Sequence, residues 1–90
     1  EECLELGLVS HVVNNNEVGE KSLDIARQIS GRAPLAVQAS KRMMRMGMNE
    51  NFNDHVHHVF LQLLPLFQSD DFAEGMASFM EKREAEFKGK

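Results

Sequence analysis

The chain has 90 residues, 42% hydrophobic and 27% charged, which bounds it to one domain with a modest core. Ten Lys and Arg against fourteen Asp and Glu leave a net charge of −4, and Tyr and Trp are both absent; this argues against a general nucleic-acid binder or a single-strand stacking platform. No apolar run is long enough to cross a bilayer and no secretory signal pattern opens the chain, so no membrane role is expected.

The first residues, Glu1 to Leu6, read as the end of a helix stopped by Gly7, a natural C-cap residue. The opening Glu-Glu in place of Met suggests an excised piece or a processed form. Cys3 is the single cysteine, has no internal disulfide partner, and is expected to be a small core residue. Leu8, Val9, Val12 and Val13 favour an extended segment, and Asn14-Asn15-Asn16 is a turn.

A first full helix is predicted from about Val18 to Ser30, with Ser22, Ile25, Ala26 and Ile29 on its inner face and Gly31 ending it. Pro34 starts the next helix, where its missing N–H costs nothing. Leu35, Ala39, Met43 and Met46 form its apolar stripe; Lys41, Arg42 and Arg45 lie outside it as a solvated face; Gly47 stops it. Met44 and Met48 are suited to a subunit neighbour or an acyl chain.

The longest helix is predicted from about Asn51 to Phe67. Phe52, Val56, Val59, Phe60, Leu63 and Phe67 form its apolar face, broadened by Leu61, Leu64 and Leu66. Such a helix is either central to a core or half-exposed at a partner. Pro65 is expected to kink or end it. His55 and His58 are i, i+3, a spacing possible for metal ligands, but no further ligand is aimed with them. Solvent-facing histidines are the expectation for His55, His57 and His58, and no metal site is assigned.

The last helix is predicted from about Asp71 to Glu86. Asp71 and Glu74 have capping-box spacing, the acidic start and basic Lys82 and Arg83 suit the helix dipole, and Phe72, Met76, Phe79 and Met80 form one stripe. Met76 and Met80 are therefore expected in the core, with Met43 and Met46. Phe79 and Lys82 are i, i+3, a pair that suits stacking an adenine and neutralising a phosphate, although such pairs are common on helices. Residues 86–90 read as a fraying tail unless Phe87 is held down. The predicted fold is all-α: a bundle of about three to four helices after a short extended lead-in, with strand content too small for a sheet. There is no internal repeat, no low-complexity linker and no convincing catalytic constellation.

Asp71-x-x-Glu74-Gly75-x-x-x-Phe79-x-Glu81-Lys82-Arg83, followed by Phe87, resembles the closing helix of the crotonase family of enoyl-CoA hydratases and isomerases. Glu5-Leu6-Gly7-Leu8-Val9-Ser10-His11-Val12-Val13 is similar to that family's A-x-x-x-G-L-V-x-x-V junction. Ala33-Pro34-Leu35-Ala36 with Lys41 resembles its P-x-A-x-x-x-x-K helix. The three pieces stand in the family's order and cover essentially the whole chain.

The resemblance implies the C-terminal helical portion of such an enzyme, with residues 1–16 joining an N-terminal core and residues 17–90 forming a helical oligomerisation and CoA-edge domain. It implies that Phe79 and Lys82 contact the adenine and phosphate end of a neighbouring subunit's CoA. Phe60, Leu63 and Leu64 would wall the acyl tunnel and Phe67 would pack in the interface. An aromatic that lines the site in some members corresponds here to Leu63, and Pro65 is not typical of the family's helix. The oxyanion hole and catalytic carboxylates of the family lie in its ββα spiral core, so no catalytic residue is assigned in this chain and the piece alone is expected to be inactive.

The implied parent is a lyase or isomerase of fatty-acid metabolism such as β-oxidation. It would take acyl-CoA as substrate, use no cofactor, and assemble as a trimer or hexamer. Bacterial cytoplasm, mitochondrion and peroxisome are all compatible. Two other readings stand beside it: a small helical homo-oligomerisation module that binds no CoA, and a catalytically inactive crotonase-like regulatory domain.

Overall fold

A computed structural model describes all residues, 1–90. Its five helices are α1 (Glu2–Glu5), α2 (Val18–Ser30), α3 (Pro34–Gly47), α4 (Phe52–Phe67) and α5 (Asp70–Glu81), and there is no strand. Gly7 follows α1 at φ +70°, a left-handed conformation open to glycine, and lets the Leu8 N–H reach back to the Cys3 carbonyl at 2.8 Å. Cys3 is exposed, not a core residue. The apolar segment 8–13 meets no neighbouring strand, so it runs as irregular exposed chain.

Helix α2 has the predicted limits, but its stripe is not a packed face. Ile25 is half-buried, while Ser22, Ala26 and Ile29 are exposed. Helix α3 starts at Pro34 behind an extended Ala33, the geometry that a following proline imposes. Its stripe does face inward: Leu35, Met43 and Met46 are half-buried, and Ala39, 5% exposed, is the one apolar residue fully buried. A short turn returns the chain, and α4 packs on α3. At the turn Gly47 lies under the His55 ring, where a Cβ would stand 2.8 Å from Nε2.

Helix α4 is capped by Asn51, whose side chain accepts the Asp54 N–H at 3.0 Å. Pro65 lies inside the helix and withholds an N–H from the Leu61 carbonyl; the helix ends two residues later, at Phe67. Helix α5 packs on α4. Its cap is Ser69, which accepts the Phe72 N–H at 3.1 Å. The expected capping box at Asp71 and Glu74 does not form, because Ser69 already occupies that role and leaves both carboxylates free for other work.

The expected stripe of α5 is also corrected. Phe72, Met76, Phe79 and Met80 are all exposed, whereas Asp71 and Ser78 are buried and Glu74, Gly75 and Ala77 half-buried. The side of α5 that is covered is the polar, small-residue side. What covers it is the C-terminal segment, which doubles back along the helix.

The molecule is a slab of 43 × 39 × 19 Å. Its radius of gyration is 16.7 Å, against about 12 Å for a compact 90-residue domain. It exposes 7762 Å², against about 5,300 Å² for a compact domain of this mass. Large apolar faces therefore lie open on both α4 and α5.

Candidate functional site

The chemistry of α5 is concentrated at its two ends. The C-terminal end is a Schellman turn: the Lys82 N–H bonds the Phe79 carbonyl at 3.4 Å and the Arg83 N–H bonds the Ser78 carbonyl at 3.1 Å. The αL position of that motif, usually glycine, is Lys82, at φ 55° and ψ 42°. The helix thus ends at Glu81, not Glu86, and Lys82 leaves the helix where the i, i+3 pattern placed it beside Phe79. Phe79 is 79% exposed and lines an open groove of about 610 Å³ with Arg32, Arg83 and Phe87. The Lys82 side chain is exposed and makes no ion pair within the chain.

Arg83, in contrast, is fully engaged. Its Nη1 and Nη2 donate to the two oxygens of Glu74 at 2.5 and 2.9 Å, and its Nε donates to Glu81 at 2.6 Å. This two-point geometry is the strong form of a carboxylate–guanidinium contact. Glu74 also accepts the Glu86 N–H at 2.8 Å. The Arg83 hydrogen bond, followed by the Glu86 N–H, holds the Glu74 carboxyl down at about 2, and the same pairing raises Arg83.

One turn earlier, Asp71 anchors the end of the chain. It is 3% exposed and accepts the backbone N–H groups of Lys88 and Gly89 at 2.6 and 2.8 Å, while its own N–H donates to the Lys90 carbonyl at 3.1 Å. Between the two anchors the Phe87 ring lies over Gly75, where a Cβ would stand 3.6 Å from Cε1. The tail expected to fray is therefore strapped down. Phe87 closes one side of an apolar cavity of about 240 Å³, walled also by Leu35, Ala36, Leu66 and Met76. Sequence reasoning missed the strap because its signal, two carboxylates on one helix face, reads equally well as a cap.

On α4 the structure separates the four singled-out residues. Phe60, Leu64 and Phe67 point outward and are exposed; Leu63 is half-buried on the packed side. Phe67 meets Phe72 of α5 edge to face, ring centroids 5.1 Å apart, so the open apolar faces of α4 and α5 are continuous. Met44 and Met48 are exposed, and so are Met76 and Met80, which the periodicity put in the core.

The histidines are not simply solvent-facing. Nδ1 of His58 lies 3.0 Å and Nδ1 of His55 3.3 Å from Glu50, the residue before the Asn51 cap; His57 is exposed. The His58 contact holds the Glu50 carboxyl below its usual range. No metal-binding trio is formed.

A family model described as enoyl-CoA hydratase/isomerase matches residues 1–90. The chain is 34% identical over 89 residues to a methylmalonyl-CoA decarboxylase of Escherichia coli, covering 97% of this chain and 34% of that protein. It is 38% identical over 94 residues to an enoyl-CoA hydratase of Mycobacterium tuberculosis, covering 99% of this chain and 34% of that one. Among solved structures, an enoyl-CoA hydratase of Bacillus anthracis superposes with a TM-score of 0.95 at 29% identity, over 99% of this chain and 34% of that one. The chain spans about a third of the length of the curated relatives it matches.

Proposed function

From the premise that this chain belongs to the enoyl-CoA hydratase/isomerase (crotonase) family, we propose that it forms the helical C-terminal part of a longer acyl-CoA enzyme. In this reading it borders the CoA site and packs subunits together. Residues 1–16 join it to an N-terminal core and residues 17–90 form the helical unit. The parent reaction is hydration of a 2-enoyl-CoA or migration of its double bond, both through a thioester enolate. The groups that stabilise that enolate and move its proton belong to the core, so this chain binds and encloses without itself reacting.

The observation that carries the reading is Lys82. A lysine in the left-handed region costs about 1 kcal/mol that glycine would not. Its ammonium has no carboxylate partner in the chain, although Glu81 and Glu84 lie within two residues of it. A strained, unpaired cation at the end of the helix that carries the open ring of Phe79 fits a ligand with an aromatic base and a phosphate, as the nucleotide end of CoA has. The outward-facing Phe60 and Leu64 then wall the acyl tunnel, with Leu63 behind them on the packed side, and Phe67 packs at the subunit interface.

An amide-shift titration of the protein with CoA tests this. Shifts centred on Phe79 and Lys82, abolished by Lys82→Ala, support it. Shifts unchanged by Lys82→Ala remove Lys82 from the site.

The continuous apolar face of α4 and α5 favours a second reading, a homo-oligomerisation unit that binds no CoA. The excess exposed surface, about 2,400 Å² over a compact domain, is well above the ~800 Å² that one partner buries in a standard interface. Under both readings Phe67→Asp lowers the mass seen by light scattering, and an unaltered mass counts against Phe67 as an interface residue. CoA binding separates the two.

A further inference from the structure

We propose that Glu74 is a positioning residue for Lys82, acting through Arg83 and the chain that follows it. This rests, for its effect on binding, on the reading of Lys82 as a CoA contact; its effect on backbone geometry stands independently.

Lys82 is the only non-glycine residue in the chain with positive φ. On its helical side the turn is held by the two Schellman hydrogen bonds to Phe79 and Ser78. Those bonds exist in many helix ends, most with glycine at this position. With lysine here, something further must hold the turn, and the structure contains it. The Glu74 carboxylate binds the Arg83 guanidinium at two points and the Glu86 N–H at a third. The residues after Lys82 are thereby tied back to the helix two turns before it, and Lys82 sits at the bend. Glu74 makes no hydrogen bond or ion pair with Lys82 itself.

The same contacts act on charge. Glu74 and Glu81 are both taken by Arg83, and the Lys82 ammonium forms no ion pair within the chain. Arg83 holds Glu74 strongly because its fork matches that carboxylate at two points, which an ammonium cannot do. Glu74 therefore fixes the backbone from which Lys82 projects, and the Lys82 charge is available for an anionic ligand.

Glu74→Gln tests this, with Arg83→Lys as a second variant that breaks the same two-point contact while keeping both charges. The first readout is the backbone of Lys82: its Hα–HN coupling and Cα and Cβ shifts report positive φ. Both variants should lose that signature while residues 70–79 stay helical. Retention of positive φ in both variants overturns the proposal. The second readout is a double-mutant cycle on CoA affinity. Glu74→Gln should weaken binding about tenfold, the loss of one charge-assisted contact, and should add nothing in a Lys82→Ala background. Independent, multiplying effects overturn the route through Lys82. If Lys82→Ala leaves CoA affinity unchanged while Glu74→Gln still releases the turn, the CoA reading fails and the positioning of the turn stands.

Discussion

Glu74 and Arg83, nine residues apart, meet in a two-point ion pair exactly where α5 ceases to be helical. The pair converts a stretch of good helix formers into a reversal and turns the end of the chain back over α5.

Glu74 sets an acid limit on the strap. Its folded carboxyl is held at about 2, below the ~4.3 of an unfolded glutamate. A depressed carboxyl contributes stability that is fully present above about pH 4.3 and is lost as pH falls toward 2. Thermal melts across pH 5 to 2 should show a steeper loss for the wild type than for Glu74→Gln. Parallel curves would mean that the ion pair adds nothing to folding. Glu50 is also depressed, which is why the variant is the proper reference.

Lys82→Gly should separate stability from ligand binding. It removes the left-handed strain and should raise unfolding free energy by roughly 0.5–1.5 kcal/mol, partly offset by glycine's greater freedom in the unfolded chain. It also removes the ammonium, so CoA affinity should fall. Urea denaturation and titration on the same sample check both; a destabilised variant would contradict the strain assigned to Lys82.

Asp71→Ala leaves the Lys88 and Gly89 N–H groups without an acceptor. Two hydrogen bonds to a charged group are lost at a buried site, a destabilisation of roughly 2–3 kcal/mol after the tail rehydrates. Hydrogen exchange at Lys88 and Gly89 should rise toward unprotected rates while α4 keeps its protection. A tail equally protected in the variant would show that Phe87, not Asp71, holds it.

Gly47→Ala should be coupled to His55. Alanine gains about 1 kcal/mol of helix propensity over glycine, but its Cβ would meet the His55 ring at 2.8 Å and push it from Glu50. We expect net destabilisation in the wild type and net stabilisation in a His55→Ala background. Equal effects in both backgrounds would mean that the ring moves aside freely.

Much of the fold was legible in the residues. The limits of α2 and α3, the Asn51 start of α4 and its end just after Pro65 follow from glycine, proline and cap chemistry, which act locally. Misjudged elements have non-local causes. Helix α5 was extended to Glu86 because Lys82 to Glu86 are residues that propagate helices well; the Glu74 and Asp71 contacts across the strap override that preference. Periodicity correctly grouped Phe72, Met76, Phe79 and Met80, yet it cannot say whether a face is covered. Glu50 lies near His55 and His58 in sequence but carries no motif with them, because the cluster joins a helix to the turn before its cap.

By itself, then, the sequence determined the helical order, most helix limits and the family, because caps, breakers and motifs are properties of neighbours along the chain. Only the tertiary structure decided which faces stay open, that the tail is a strap, and that Lys82 sits strained with a free charge. Those depend on which carboxylate meets which backbone N–H or guanidinium across a turn, and local sequence spacing leaves Asp71 and Glu74 equally suited to cap a helix or to tie one down.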